Sequence, residues 1–220
     1  MKGKPSAAVD EKNQVATRRQ LLEAAGEVFA ESGFREATVR AICQRAGANV
    51  AAINYHFGDK ETLYKETLQY AHCKALEKYP LLLDVAEGAP PEKKLRAFIY
   101  SMLQRIFDKE PKSWQGRLMA REMFEPTAAL DSLIEERFKP TAELLWKIVG
   151  DILHRPPQDE RVQQCAISVI SQCVFYHHKR PILDRMYPKL GADAAGVKSL
   201  ADFITRFSLA AMKEFSANKK

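Results

Sequence analysis

The sequence lacks a long hydrophobic run. No window approaches the roughly 18 consecutive apolar residues that a membrane-spanning helix needs. The opening stretch MKGKPSAAVDEKNQ is polar and contains no apolar signal-peptide core. The composition, with 46% hydrophobic and 28% charged residues, is too mixed for a disordered chain. We therefore expect a globular protein that stays in the cytoplasm.

Cysteine is scarce, with only four residues, Cys43, Cys73, Cys165 and Cys173. Their spacing shows neither the close pairs of a zinc site nor the density of a disulfide framework. We expect reduced and mostly buried thiols. Cys165 and Cys173 lie eight residues apart on one predicted helix, which leaves a redox-sensing regulator open as an alternative.

Motifs of catalysis are also absent. The histidines, none of which lies in an HExxH, GxSxG or CxxC context, are His56, His72, His154, His177 and His178. His177 and His178 are adjacent and point to different sides of a helix, so they do not share a metal. We expect no catalytic residue, no metal, no cofactor and no enzyme. A helical adaptor that binds another protein remains an alternative.

Runs of alternating apolar and polar residues are missing, so we predict an all-α fold. Glycine, proline or polar stretches break the helical pattern at 88–91, 109–113, 126, 156–157 and 191–196. Between these breaks the apolar spacing predicts helices over 95–106, 130–153, 162–178 and 200–215. We expect Pro140 to bend the second of them, because proline removes a backbone donor.

Capping signals predict three short helices near the start of the chain. The predicted N-caps are Thr17 with Gln20, Thr38, Asn49 and Asp59, and the predicted stops are Gly33, Gly47 and Gly58. A three-residue turn beginning at Gly47 separates the second helix from the third, which is the arrangement of a helix-turn-helix unit. A fourth helix from Lys60 to about Tyr79 leads out of this unit.

The stretch TRRQLLEAAGEVFAESGFREATVRAICQRAGANVAAINYHFGDKETLY resembles the DNA-binding domain of TetR-family repressors. The matching positions are Phe29, Gly33, Thr38, Val39, Arg40, Ala46, Gly47, Tyr55, His56, Phe57 and Lys60. The segment NVAAINYHFGDKE is further similar to a subgroup that governs drug efflux and antibiotic sensitivity. This resemblance implies a homodimeric repressor that binds a palindromic operator and that a small-molecule inducer releases.

The resemblance also implies a division of the chain. A larger C-terminal helical domain for ligand binding and dimerisation follows the helix-turn-helix domain. The predicted segments are a flexible basic tail over 1–16, the helix-turn-helix domain over 17–65 and the C-terminal domain over 66–220. Lys2, Lys4 and Lys12 in the tail either reach a minor groove or remain solvated. The net charge of +6 is compatible with a polyanionic partner but does not locate its site.

The predicted third helix would enter the major groove. Its first turns offer Asn49, Val50, Ala51, Ala52 and Asn54, with no Arg or Lys for guanine. We therefore expect contacts to thymine methyl groups, with Asn54 as a candidate adenine reader. The resemblance assigns base contacts to Val50 and Ala52, although both are also ordinary helix residues. Most of the family has a phosphate-contacting tyrosine where this chain has Asn54, so the resemblance leaves the role of that position open.

Phosphate contacts form a second predicted set. The resemblance assigns them to Thr38, Arg40, Tyr55, His56 and Lys60. Helix N-termini attract phosphate, and a nearby cation adds to that attraction. The alternatives are that Arg40 is a solvated surface residue and His56 a structural one.

The last predicted helix carries an apolar stripe that needs a partner. Its members are Leu200, Phe203, Ile204, Phe207, Ala211 and Phe215. We predict that the last two long helices form the interface of a homodimer. The alternative is that the stripe only fills the core of the monomer.

The predicted inducer pocket lies in the C-terminal domain. Its candidate walls are Phe98, Met102, Ile106, Trp114, Met119, Phe124 and Trp146, and its candidate polar contacts are Arg117, Arg121, Gln172, Tyr176 and His177. Helical spacing alone produces the same apolar pattern, so core filling is the alternative. A buried Arg121 would need Glu122, Glu125 or an anionic ligand as compensation. We therefore expect an aromatic or anionic inducer, with the fourth helix as the lever toward DNA.

Overall fold

The structure, a computed structural model, describes residues 7–83, 85–107, 114–188 and 193–217, without the side chains of residues 7–13, 177, 180 and 217. These residues form helices and no strand, so the prediction of an all-α fold is confirmed. The helices are α1 (Ala7–Glu36), α2 (Val39–Ala46), α3 (Val50–Phe57), α4 (Lys60–Lys78), α5 (Pro91–Ile106), α6 (Trp114–Phe124), α7 (Ala129–Leu133), α8 (Lys139–Leu153), α9 (Glu160–His178), α10 (Arg180–Met186) and α11 (Ala194–Ala217). Within the described ranges, no helix combines the length and the apolar character needed to cross a bilayer.

The helices form two units, each with its own internal contacts. Unit 1 comprises Met1–Lys74 and Pro111–Arg137, and unit 2 comprises Ala75–Glu110 and Phe138–Lys220. This division differs from the predicted one, because α6 and α7 join the N-terminal helices in unit 1. Helix α4 runs through the boundary between the two units.

Helix α1 is longer than its capping signals predicted. It begins at Ala7, so part of the predicted tail is helical and Thr17 lies inside the helix rather than at its N-cap. Residues 7–16 include neither proline nor glycine, and nothing in them stops a helix from propagating. Gly33 does interrupt the helix as predicted, with φ 77° and ψ 170°. Lys2 and Lys4 of the predicted tail lie outside the described residues, as does the side chain of Lys12.

Helices α2 and α3 begin and end where the caps predicted. The Oγ1 atom of Thr38 accepts a hydrogen bond from the Ala41 amide at 3.1 Å, and Oδ1 of Asn49 accepts one from the Ala52 amide at 2.9 Å. Gly47 adopts the left-handed conformation with φ 61° between them. Such a conformation costs glycine little, because it has no Cβ. The two helices therefore form a helix-turn-helix pair with a sharply defined turn.

The core of unit 1 lies between α1 and the three helices that follow it. Its fully buried members include Leu21, Phe29, Ile42, Ile53, Leu63 and Leu68. Phe29 meets the ring of Tyr64 edge to face, with centroids 4.8 Å apart. This aromatic contact connects the interior of the helix-turn-helix to α4.

Helix α6 packs closely on α1 within unit 1. The indole of Trp114 covers Gly26, where a Cβ would lie 2.3 Å from the ring. Its Nε1 donates to Glu23 at 2.9 Å, and the hydroxyl of Tyr70 donates to the same carboxylate at 2.6 Å. Burial and this hydrogen bond raise the pKa of Tyr70 to about 12, so the phenol remains a donor at neutral pH. The contact ties α1, α4 and α6 into one body.

Unit 2 is a helical body built on α5, α8, α9 and α11. Its buried apolar side chains include Leu95, Phe98, Ile99, Leu103, Leu145, Val149, Val162, Val169, Cys173 and Ile204. Each of the four helices contributes one face to this core, as the apolar spacing predicted. These helices contain the predicted ranges 95–106, 162–178 and 200–215, and each extends beyond its range.

The helices are interrupted at two places where the predicted pattern showed no break. The range 130–153 is divided, because α7 passes into a π-helical turn over Ile134–Phe138 before α8 begins. Pro140 lies in the first turn of α8, where its missing amide is tolerated, and the wider turn lies directly before it. Helix α9 ends at His178, and α10 follows with Pro181 in its first turn. Our pattern of breaks did not include this second interruption.

The contact between Gly26 and Trp114 can be tested by substitution. We expect Gly26→Ala to destabilise the protein by about 1–3 kcal/mol, because the indole is 3% exposed and cannot move aside freely. Gly116→Ala is the matched control. It lies in α6 with no atom near its Cβ position, and we expect it to stabilise by about 0.5–1 kcal/mol. Urea denaturation of both variants measures the difference, and equal stabilities would contradict the packing.

Candidate functional site

Helix α3 presents one face to the interior and the other to solvent. Ile53 is fully buried and Phe57 nearly so. On the opposite side Val50 is 49% exposed and Tyr55 is 71% exposed. An eight-residue helix with an exposed face of this kind can enter a major groove without rearrangement of unit 1.

The predicted base-reading residues lie along this exposed face. Asn49, Val50, Ala51 and Asn54 are exposed, and Ala52 is half-buried. The oxygen of Asn49 is occupied by its capping bond, which leaves the amide nitrogen of the side chain as its free donor. The face offers small apolar groups and two amides, with no cation.

The predicted phosphate contacts have different surroundings. Arg40 is exposed, and the described residues offer it neither an ion-pair partner nor a hydrogen-bond acceptor. Lys60 instead donates from Nζ to the Arg35 carbonyl at 3.2 Å and lies 4.8 Å from the ring centre of Phe34. Lys60 therefore stabilises the end of α1, and its role is at least partly structural. Thr38 caps α2 and keeps its hydroxyl proton as a donor.

Tyr55 and His56 lie in the last turn of α3. Their rings meet edge to face with centroids 5.0 Å apart, and His56 also contacts Phe57. Tyr55 is largely exposed, whereas His56 is half-buried. This geometry suits Tyr55 to an outward contact and gives His56 a packing role as well.

Two further arginines of unit 1 are neutralised by carboxylates. Arg45 pairs with Glu31 at 2.8 Å and Glu27 at 3.5 Å, and this pairing lowers the pKa of Glu31. Arg18 pairs with Glu66 and lies 5.3 Å from the ring centre of Phe57 behind α3. These cations brace the helix-turn-helix from within the unit, which leaves Arg40 as the more available charge.

The residues predicted to bind an inducer divide between the two units. Trp114, Arg117, Arg121 and Phe124 belong to α6 in unit 1, as does Met119. Phe98, Met102, Ile106, Trp146, Gln172 and Tyr176 belong to unit 2. The side chain of His177 lies outside the described residues. Neither unit alone therefore contains the whole predicted set.

Arg121 has partners within unit 1. Its Nη1 approaches the Glu31 carbonyl at 3.4 Å, and its Nε lies 3.7 Å from Glu125, one of the compensating groups that the sequence suggested. The guanidinium lies against Gly33, where any Cβ would come within 2.6 Å of Nε. A glycine at the kink of α1 therefore also makes room for an arginine of α6.

Glu122, the other carboxylate considered for Arg121, has a different function. It is fully buried and accepts hydrogen bonds from the Tyr64 hydroxyl at 2.7 Å and from the amide and hydroxyl of Thr127 at 2.9 and 3.0 Å. Burial, followed by the bond to Glu122, raises the pKa of Tyr64. This link between α4 and α6 is not predictable from the sequence, because nothing in the spacing pairs residues 58 positions apart.

The predicted residues of unit 2 occupy its core and its surface. Phe98 is fully buried, and Met102, Ile106, Trp146 and Tyr176 pack at the edge of the core. A cavity of about 270 Å³ lies between α9 and α11 and is lined in part by Gln172, Cys165 and Phe207. A second cavity of about 610 Å³ lies along α9 and α10 and includes Gln172 and Tyr176. The geometry thus brings Gln172 and Tyr176 to a cavity, while Phe98 fills the core.

The apolar stripe of the last helix has two sides. Ile204 is fully buried in unit 2, and Leu200 packs against the core. Phe203, Phe207 and Phe215 are 48%, 59% and 44% exposed on the same helix. On α9 the large side chains of Ile167 and Phe175 are exposed as well. We call these five exposed side chains the outer apolar face.

An exposed helix-turn-helix, continued by a long helix into a second helical body, defines the class of helix-turn-helix transcription regulators. Comparisons with known proteins agree with this class. The family model "HTH-type transcriptional dual regulator CecR, C-terminal domain" matches residues 91–212, and the model "Bacterial regulatory proteins, tetR family" matches residues 21–67. The chain belongs to the TetR family of transcriptional regulators, with a C-terminal domain of the CecR type.

Individual relatives support the same family. The dual regulator CecR of Shigella flexneri is 30% identical over 142 residues, a match that covers 60% of this chain and 63% of CecR. The repressor NicS of Pseudomonas putida is 26% identical over 202 residues, with 90% and 91% covered. The structure of AibR in complex with isovaleryl coenzyme A and operator DNA has a TM-score of 0.62 at 18% identity, covering 87% of this chain and 97% of AibR. That likeness shows a shared fold.

The cysteines bear on the redox alternative. Cys43, Cys165 and Cys173 are buried, and burial raises the pKa of all three, that of Cys173 to about 12. The thiols are therefore protonated at neutral pH, and a protonated thiol is a poor nucleophile. Eight residues along α9 separate Cys165 from Cys173 by about 12 Å, which is too far for a disulfide.

We expect iodoacetamide at pH 8 to alkylate Cys73, which is half-buried, and to leave Cys173 unmodified until the protein unfolds. Since the pKa of Cys173 is raised to about 12, its thiolate fraction is small at pH 8. Mass spectrometry of proteolytic peptides measures both rates, and guanidinium-unfolded protein is the control. Equal rates in the folded protein would restore Cys173 as a candidate sensor.

Proposed function

We propose that the protein is a repressor that binds a palindromic operator as a homodimer and dissociates when a small molecule binds its C-terminal region. The observation that supports this most directly is the exposed outer face of α3. Ile53 and Phe57 hold its inner face in the core of unit 1, so the exposed residues project from a rigid support. The family provides the coarser function, DNA-binding transcription regulation.

Base recognition in this proposal comes from small side chains. Val50 and Ala51 can contact thymine methyl groups, and the amide of Asn54 can form paired hydrogen bonds with adenine. Ala52 is half-buried, which limits its share of any contact. We expect selection from a random duplex pool to return half-sites with A·T pairs at the contacted positions. Half-sites with guanine at all of these positions would reject this assignment.

Phosphate contacts surround the recognition helix. The N-terminus of α2 carries Thr38 and Arg40, which has no ion-pair partner in the described ranges, so its amides and a cation can face the same phosphate. Tyr55 lies near the C-terminal end of α3 and is exposed to solvent. His56 and Lys60 are assigned secondary contacts, because both also pack within unit 1.

Dimerisation is proposed through α9 and α11. The outer apolar face has large exposed side chains on both helices. Within it, Phe203 stacks on Phe207 with ring centroids 6.1 Å apart. Large apolar side chains at this exposure indicate a surface that another protein covers. A two-fold dimer would present two α3 helices to two half-sites of a palindrome.

Effector binding is proposed for unit 2. The CecR-type domain covers residues 91–212, and AibR, which shares the fold, was solved with a coenzyme A thioester. A ligand releases DNA only if it binds the DNA-incompetent state more tightly. Helix α4 belongs to both units and is the proposed lever.

The phosphate contact proposed for Arg40 can be tested with a substitution at an exposed position. On an operator recovered by selection, we expect Arg40→Ala to weaken binding similarly for all sequences, and to reduce the slope of log K against log salt by about one. Lys147→Ala removes an exposed cation of α8 and should change neither quantity. Fluorescence anisotropy over a range of salt concentrations measures both. A loss confined to one sequence would contradict a phosphate contact.

The dimer can be tested with acidic substitutions. We expect the double variant Phe203→Asp, Phe207→Asp to be monomeric in light scattering at micromolar concentration and to lose operator binding, because charge in a buried interface is costly. Met123→Asp introduces the same charge at an exposed apolar position of α6 and should remain a dimer. A monomeric wild type would refute the proposed assembly.

The selection and light-scattering experiments also distinguish a repressor from the alternative, a protein-binding adaptor. An adaptor would form its fold and its dimer but enrich no duplex from the random pool. Failure to enrich any sequence, at salt concentrations where nonspecific binding is detectable, would therefore favour the adaptor over the repressor.

A further inference from the structure

Arg105 stands out among the charged residues of unit 2. It lies near the end of α5, and it is partly buried beside the core. Its Nη1 donates to the Tyr79 carbonyl at 3.0 Å and to Oγ of Ser101 at 2.7 Å. The Ser101 hydroxyl donates to the same carbonyl at 3.0 Å. Both acceptors of Arg105 are neutral.

Other arginines of unit 2 have carboxylate partners. Arg96, on the same helix, pairs with Asp202 at 2.6 Å, and Arg155 pairs with Asp159 at 2.9 Å. For Arg105 no carboxylate lies within ion-pair distance among the described residues. Its Nε and Nη2 likewise have no acceptor in that part of the chain. Among the described residues, the Nε and Nη2 edge of the guanidinium, which suits a bidentate anion, therefore has no protein partner.

The surroundings of Arg105 disfavour an isolated charge. Met102, one helical turn earlier, and Ile106 pack at the edge of the apolar core, and the buried thiol of Cys173 lies nearby. Burial lowers the pKa of Arg105 to about 10, because the cation loses water around it. The guanidinium nevertheless stays protonated at neutral pH.

We propose that Arg105 binds the anionic group of the effector, a small organic acid with an apolar body. The Nε and Nη2 atoms would hold a carboxylate or phosphate, while neighbouring apolar side chains such as Met102 contact the body of the molecule. This inference rests on the proposed function, and it places the recognition of charge on α5 rather than on Arg117 or Arg121 of α6.

The position of Arg105 also connects the ligand to α4. Tyr79 directly follows that helix, and its carbonyl is one of the two groups that Arg105 holds. An anion that draws the guanidinium toward itself competes with this carbonyl. Ligand binding would then weaken the contact that holds the end of α4. The states with and without this contact would differ in their affinity for the ligand, and release of DNA requires such a difference.

The test uses three probes with one aromatic body: benzoate, phenyl phosphate and neutral benzyl alcohol. We expect benzoate or phenyl phosphate to raise the melting temperature of the full-length protein more than benzyl alcohol does. The two acids distinguish a carboxylate from a phosphate ligand. Titration calorimetry should show binding of the better acid at least tenfold weaker in Arg105→Gln. Arg96→Gln changes the same charge on the same helix and should bind as the wild type does.

Arg105→Lys retains the charge without the planar fork and should also weaken binding of the better acid at least tenfold. Should the variants fail to fold, phenylglyoxal modification of the wild type gives an independent readout. Mass spectrometry should then show that the better acid protects Arg105 but not Arg96. Equal binding by wild type and Arg105→Gln, no binding of either acid, or no protection of Arg105 would overturn the proposal.

Operator binding separates this inference from the proposed function. Wild type and Arg105→Gln should both bind the selected operator without acid, and the acid should release only the wild type. If both proteins bind operator and neither acid acts through Arg105, the inference fails and the repressor remains. If the wild type binds no operator under any condition, the proposed function itself fails.

Discussion

The side chains of Ile53 and Phe57, buried on the inner face of α3, are the constraint on which the rest of unit 1 depends. An eight-residue helix has little stability of its own, and packing supplies what length does not. Asn49 at its start and Gly58 at its end limit the helix to the residues that this packing supports. Apart from the capping bond of Asn49 and the ring contact between Tyr55 and His56, the outer face of α3 takes no part in this packing.

Helix α6 extends the same body. Trp114 covers Gly26, Arg121 lies against Gly33, and Glu122 binds Tyr64, so the first and last turns of α6 are held by α1 and α4. Each contact requires either a missing Cβ or a buried polar partner, and neither tolerates displacement well. A helix that lies in the C-terminal half of the chain, after α5, is thereby part of the DNA-binding unit. In the proposed release mechanism, a displacement of α6 or α4 would therefore disturb the unit that contains α3.

Unit 2 shows how one apolar stripe can serve two purposes. Ile204 is committed to the core, while Phe203 and Phe207 on the same helix face outward. Core filling thus applies to Ile204, whereas the proposed dimer interface concerns Phe203 and Phe207 of the same helix. Two arginines of α5, Arg96 and Arg105, likewise differ in their partners. Arg96 is neutralised by an aspartate within the unit, whereas both acceptors of Arg105 among the described residues are neutral.

The sequence by itself determined the all-helical fold, the caps Thr38 and Asn49 and the exposed outer face of α3, because capping and periodicity act over three or four residues. The prediction failed at Thr17, where a residue with capping potential lies inside a longer helix. Only the tertiary structure decided that α6 packs on α1, that Glu122 meets Tyr64 and that Arg105 has no carboxylate partner in the described chain. Such pairings join residues tens of positions apart, and local physical chemistry does not specify which distant side chains meet.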